Sequence, residues 1–273
     1  MLTHDTFTHR FGRKALFGMI HLRPLPGSPL YGGSMDAVIE HALADARALA
    51  GGGCDGVIVE NFGDKPFRKE RVEGECVAAM TRVVAEVRRT VALPVGVNVL
   101  RNDALSAIAI ASATGAAFIR VNVHVGAMLT DQGIIEGDAA ETVRRRGIVA
   151  PDVGIFADHM VKHAVPLAPV DQLQSAKDLR LRGLADAVIV TGAETGAACE
   201  PDSLRSLREV LADTPLIVGS GLTAENAASF AEADAAIAGT SIKREGRVDE
   251  PVDRDRVERL VQAFKAVRQP GAR

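Results

Sequence analysis

The sequence predicts a closed (β/α)8 barrel, an α/β fold in a single domain. Three observations predict it. Eight short apolar runs recur along the chain, continuous rather than alternating, as strands covered on both faces require. Ala-rich amphipathic stretches separate them. The 273 residues also suit one barrel, which commonly runs to about 250 residues.

Each element follows from its residues. The first fourteen carry no strand signal and are expected to form an arm or short helix outside the barrel. The barrel is expected over 15–268, with 269–273 a frayed tail. Ala15–His21 is the first strand. Met35–Ala50 sets Val38, Ala42, Leu43, Ala46 and Leu49 on one stripe, with Asp36, Glu40, Asp45 and Arg47 largely elsewhere, which makes it a helix. Strand Gly56–Asn61 is followed by helix Val72–Thr90. Strand Pro94–Leu100 is followed by helix Ala104–Thr114, with Asn102 and Asp103 placed to cap it. Strand Phe118–Val123 leads to helix Asp138–Arg146, and strand Val153–His159 to helix Asp171–Arg182. Strand Ala187–Gly192 leads to Pro201–Ala212, opened by Pro201 and Asp202. Strand Pro215–Gly221 precedes helix Ala224–Ala231, whose start is marked by Thr223, Glu225 and Asn226. Strand Ala235–Ser241 precedes the last helix, Asp253–Val267. The competing architecture is a doubly wound open sheet. It calls for a glycine fingerprint after the first strand, where this chain has the proline-rich LRPLPGSPLYGG.

Composition narrows the function. With 47% hydrophobic and 25% charged residues the chain has ample core material and is not a disordered one. Lys plus Arg number 32 against 35 for Asp plus Glu, so nothing electrostatic points to a nucleic-acid partner. Trp is absent and Tyr occurs once, leaving few platforms for stacking bases. Cys54, Cys76 and Cys199 are odd in number and widely spaced, with no CxxC, which fits a reduced cytoplasmic setting. The N-terminal MLTHDTFTHRFGRK lacks the apolar core of a signal peptide. No run approaches the roughly 18 apolar residues of a membrane span, so a soluble protein is expected.

Barrel chemistry sits at the C-terminal ends of the strands. Polar groups collect there: His21, Glu60 with Asn61, Asn98, Arg120 with Asn122, Asp158 with His159, Thr191, Ser220 and Thr240. Glu60, beside apolar neighbours, is a candidate acid/base with a raised pKa; the alternative is a structural carboxylate paired with Arg120. His21 is a base or ligand, or else a core histidine. After the fifth strand, Asp158, His159, Lys162 and His163 cluster. A carboxylate there could orient a base, and a lysine could form a Schiff base with a carbonyl substrate. No cofactor is expected. A divalent metal on His21, Glu60 and Asp158 is left open without a ligand-spacing motif to support it.

Two glycine turns point to phosphate. Gly219-Ser220-Gly221 and Gly239-Thr240-Ser241 end consecutive strands and lead into helix starts, with Lys243 and Arg244 nearby. Glycine lets backbone amides approach an anion, and these barrels commonly bind phosphate after strands seven and eight. The bland alternative is two ordinary tight turns. The long connection Val121–Asp138 holds His124, Asp131, Gln132 and Glu136, and reads as a loop without secondary structure serving as a lid, or as a solvated excursion.

Together, GMIHLRPLPGSP, CDGVIVENFGDKPF, PVGVNVLRND, FIRVNVHVGAMLTDQGIIEG, VKHAVPL, DAVIVTGAETG, VGSGLTAEN and AGTSIK resemble the BtpA family, which includes the SgcQ-type proteins, over about Phe17–Lys243. The resemblance implies the same (β/α)8 fold. It also implies a site of His21, Glu60, Asn61, Asn98, Arg120, Asn122, Asp131, Lys162, His163 and Gly221. The family's name is attached to biogenesis or stabilisation of photosystem I, with peripheral association with photosynthetic membranes. Similar proteins occur where photosynthesis is absent, some beside sugar-phosphate metabolism proteins, which implies an older enzymatic role. The expected partner is thus a phosphorylated small molecule, handled by isomerase, epimerase or aldolase-type chemistry. The rivals are a non-catalytic factor for a membrane complex and a phosphometabolite sensor. A homo-oligomer paired through outer helices is a further expectation.

Overall fold

The computed structural model describes residues 1–192 and 200–267. Eight parallel strands close a barrel: β1 (Ala15–His21), β2 (Gly56–Glu60), β3 (Val95–Asn98), β4 (Phe118–Val121), β7 (Gly154–His159), β9 (Ala187–Val190), β10 (Leu216–Val218) and β11 (Ala235–Ala238). β1 closes the ring by pairing with both β2 and β11. The outer helices are α2 (Met35–Gly51), α3 (Gly74–Thr90), α4 (Ala104–Thr114), α5 (Ala139–Val149), α6 (Gln172–Lys177), α7 (Pro201–Val210) and α8 (Arg254–Lys265). Cys199, the second half of the TGAETG motif and the expected frayed tail lie outside the described residues.

The strands alternate inward and outward with period two, which builds the interior in layers. The lowest is aromatic: Phe17, Phe118 and Phe156 are fully buried, and Phe118 stacks on Phe156 with ring centroids 4.3 Å apart. Gly96 makes that layer fit, since a Cβ there would lie 2.2 Å from the Phe118 ring. Above it come Met19, Ile58, Ile189, Ile217 and Ile237. Two residues on from Met19, Ile58, Gly96, Phe118 and Phe156 stand His21, Glu60, Asn98, Arg120 and Asp158, the polar top. The outward residues, such as Leu16, Val57, Val97 and Val188, pack with the helices in the larger core. Each such fully buried aliphatic side chain contributes roughly 1.5–3 kcal/mol.

The N-terminal fourteen residues form a helix, α1 (His4–Phe11), capped by Thr3 and Thr6. Its Phe7 and Phe11 are buried against Phe17 and Phe156, closing the barrel floor. The segment is pinned from several directions: Leu2 N–H donates to Asp186, Arg180 donates to the Leu2 carbonyl, and His4 pairs with Asp234 and donates from its backbone to Asp213.

Two expectations are corrected. The connection after β4 is not an unstructured loop. It forms a hairpin, β5 (Ala127–Thr130) and β6 (Gly133–Glu136), which β8 (Ala164–Pro166) joins as a three-stranded antiparallel sheet. One face buries Met128 and Ile135 on Val123 and Val161. The expected helix Ala224–Ala231 is a single 3-10 turn, Ala227–Phe230. Asn226 folds back to accept from Thr223 N–H and to donate to the Gly221 carbonyl, which uses up the residues that would have begun a helix. Among the described residues no helix is long and apolar enough to cross a membrane.

Candidate active site

A cavity of about 190 Å³ opens at the C-terminal ends of the strands, lined by His21, Glu60, Arg120, Lys162 and the two glycine turns. Four chain-distant acid, base and cationic groups thus share one small space with both turns proposed for phosphate.

Glu60 ends β2 and is 6% exposed. Burial raises its carboxyl above the ordinary glutamate range, and Arg120 and Lys162 counter this only in part. His21, in register beside it at the end of β1, brings Nε2 to 3.8 Å from Glu60 Oε1. Its ring lies on Phe62 at 4.6 Å between centroids, and its Nδ1 is buried without a hydrogen-bond partner. Burial, with Lys243 and Lys162 adding to it, holds the imidazole well below the usual histidine range, hence neutral at physiological pH. Gly239 leaves room for it: a Cβ there would stand 3.3 Å from His21 Cε1. Asn98, with its amide nitrogen turned toward β2, donates to Glu60 Oε2 at 2.5 Å.

Arg120 does not pair with Glu60. Its Nε and Nη2 donate to Asp158 Oδ1 and Oδ2, both at 3.1 Å, and Asn122 donates to the same carboxylate at 2.7 Å. Asp158 thus holds Arg120, which lines the cavity, and among the described residues no three His, Cys, Asp or Glu side chains are grouped to hold a metal ion. His159, the next residue on β7, is buried but does not line the cavity.

Lys162 reaches the cavity from the loop after β7. Burial and the neighbouring Arg120 lower its amine from the ordinary lysine range, while Glu60 and Asp158 pull the other way. His163 follows in the left-handed region (φ 56°) and is exposed. Asp131 sits at the exposed hairpin tip and pairs with Arg101 at 3.3 Å. Asn61 is a brace: its side chain accepts from Leu100 N–H at 2.7 Å and donates to the Leu100 carbonyl and to Asp64. His124 is buried against the Gly183 carbonyl.

The two turns differ in what their groups do. The Gly219 amide is committed to the Val190 carbonyl at 2.8 Å, and a Cβ at Gly219 would meet Ile189 and Thr191 at 2.5 and 2.6 Å. Gly219 lines the cavity together with Ser220, Gly221 (φ 71°) and Thr223, but its amide is not open to a ligand. In the second turn Thr240–Ile242 forms a 3-10 turn whose Thr240 and Ser241 line the cavity. Lys243 is not among these residues. Its ammonium is fully buried against Asp45 of α2 at 2.6 Å, and Arg244 is exposed. Sequence reasoning passed over Phe62, which packs on His21, and Arg101, which donates to Asp131 and to the Lys162 carbonyl. VENF and LRND carry no local signal that these two turn inward.

The family described as the BtpA family matches residues 12–266. The photosystem I biogenesis protein BtpA of Synechocystis is 46% identical over 250 residues, covering 91% of this chain and 87% of its own. An uncharacterised protein of Thermococcus kodakarensis is 47% identical over 260 residues, covering 95% and 98%. Among solved structures, orotidine 5'-phosphate decarboxylase from Pyrococcus horikoshii aligns with a TM-score of 0.58 at 13% identity, covering 92% and 100% of the two chains. N-(5'-phosphoribosyl)anthranilate isomerase from Pyrococcus furiosus aligns at 0.53 and 16%, covering 93% and 99%. At such identity the likeness carries the fold.

Proposed function

The chain belongs to the BtpA family, and from that premise we propose that it is an enzyme acting on a small phosphorylated substrate by proton transfer. One observation carries the reading: the glycine turns and the acid/base groups line the same cavity. Phosphate sits against Gly221, Thr240 and Ser241, where backbone and hydroxyl donors gather, and supplies binding energy remote from the reacting atoms. Glu60 and neutral His21, 3.8 Å apart, exchange a proton with the substrate. A carboxyl raised toward the working pH suits a general acid or base. Arg120, held by Asp158, steadies negative charge that develops on the substrate oxygen. The barrels named above include ones whose names carry a 5'-phosphate or phosphoribosyl group, in keeping with this substrate class.

The test is a thermal-shift screen with phosphorylated sugars and nucleotides, with and without divalent metals, because a ligand selective for the native state raises the midpoint. A hit should be lost with inorganic phosphate in excess. Glu60→Gln should abolish turnover of that compound while leaving its binding shift in place. Unchanged turnover removes Glu60 from the chemistry.

A second reading, a non-catalytic factor for a membrane complex of the kind named in the Synechocystis relative, has one observation in its favour. Ile134, Leu129 and Val165 lie in register across the outer face of the three-stranded sheet, 44%, 48% and 57% exposed. An apolar row of this sort marks an interaction surface when it is part of a larger patch. Replacing Leu129 and Val165 by Glu separates the readings: it should leave ligand binding intact and abolish only an assembly role.

A further inference from the structure

We propose that Lys162 is a covalent catalyst that forms an imine with a substrate carrying both a phosphate and an aldehyde or ketone. This rests on the phosphate reading above and adds the carbonyl to it.

The geometry around the amine is that of a nucleophile rather than of an ion-pair partner. Lys162 lines the cavity with Glu60, His21 and Arg120, yet no carboxylate among the described residues pairs with it. The two buried lysines among the described residues are differently placed. Lys243 is locked to Asp45, and Lys14 is spent on the carbonyls of Ala231 and Ala233, both at 2.6 Å. The Lys162 backbone is also fixed from several sides. Arg101 Nη2 donates to its carbonyl at 2.6 Å, Thr191 Oγ1 donates to the Met160 carbonyl at 3.1 Å, and Ala164 pairs with Thr130 across β8 and β5. Met160 and His163 on either side adopt left-handed backbone (φ 52° and 56°), a conformation that surrounding structure must enforce. The loop thus spends strain and hydrogen bonds on aiming one side chain. The cations Arg120 and Arg101 near it and its burial favour the free amine that attack requires.

The step balances with groups already in the cavity. The Lys162 Nζ lone pair attacks the carbonyl carbon, a C–N bond forms, and the carbonyl π pair moves to oxygen. An amine proton passes to that oxygen through Glu60, giving a carbinolamine. Protonated Glu60 then gives its proton to the hydroxyl, the C–O bond breaks, water leaves, and the nitrogen lone pair completes a protonated imine. No oxidation change occurs. The iminium makes the adjacent carbon acidic, which is what His21 or ionised Glu60 needs to take a proton from it.

The full-length protein is incubated with dihydroxyacetone phosphate, glyceraldehyde 3-phosphate or ribose 5-phosphate, reduced with borohydride, and mapped by peptide mass. The proposal expects a gain equal to the probe less one oxygen atom at Lys162, at least about tenfold above the mean of exposed lysines at neutral pH. Unphosphorylated dihydroxyacetone should label it far less. Lys162→Arg, which keeps a long basic side chain without a primary amine and whose fold is checked by its melting temperature, should lose the adduct. Labelling spread equally over lysines, or undiminished in Lys162→Arg, overturns the imine. A thermal shift from the probes without any adduct overturns the imine and leaves the phosphate reading standing. Neither shift nor adduct overturns both.

Discussion

Removing the carboxylate that holds Arg120 should cost far more than an ordinary salt bridge. In Asp158→Ala the guanidinium loses the acceptors of its Nε and Nη2, and Asn122 loses its 2.7 Å acceptor. The ion pair is 3% exposed on the arginine side and 0% on the aspartate side, so water does not readily replace what is lost. Breaking a buried pair from one side typically costs about 3–5 kcal/mol. At roughly 2–4 °C per kcal/mol for a domain of this size, the melting temperature should fall by about 6–20 °C. Calorimetry on the parent, Asp158→Ala, Arg120→Met and the double variant measures this. In the double variant the orphaned cation is gone, so it should recover about 1–3 kcal/mol relative to Asp158→Ala alone. A loss below about 1 kcal/mol, the worth of an exposed pair, would refute the claim that Asp158 is the buried support of Arg120.

Three further outcomes are expected. Burial raises the folded-state pKa of Glu60 over its ordinary 4.5, so the folded protein keeps this proton further up the pH scale; stability is then lost as pH rises from the unfolded value through the folded one. Glu60→Gln should therefore melt higher than the parent at neutral pH and match it near about pH 4, and a constant offset between pH 4 and 8 would contradict the sign. Gly239→Ala should leave stability within about 1 kcal/mol while displacing the His21 ring and cutting turnover, as read by calorimetry beside a substrate assay. Phe7→Ala should lower unfolding free energy by about 3–5 kcal/mol in urea titration, since the ring is fully buried in the barrel floor.

The barrel was legible because its strands are continuous apolar runs, and the period-two rule then put His21, Glu60, Asn98, Arg120 and Asp158 on one inner layer. What stayed hidden were choices between partners. The sequence offers Arg120 two carboxylates, Glu60 and Asp158, and only the side-by-side register of β4 and β7 selects Asp158. Lys243 follows the second glycine turn and reads as an anion ligand, but its match is Asp45, 198 positions earlier in the chain. The strands AMLT and GIIE are too short for alternation to show, and the pairing of AMLT with Ala164–Pro166 joins segments from two separate connections. Ala224–Ala231 has helical composition, yet the Asn226 side chain competes with the backbone for the same donors.

The seal beneath the barrel has a consequence for how the chain assembles. α1 precedes every barrel strand, yet four of the groups that moor its segment, Arg180, Asp186, Asp213 and Asp234, come after the fifth of them. During synthesis this early segment cannot complete these ties until most of the cylinder has been made. Its final seating is then a closing event.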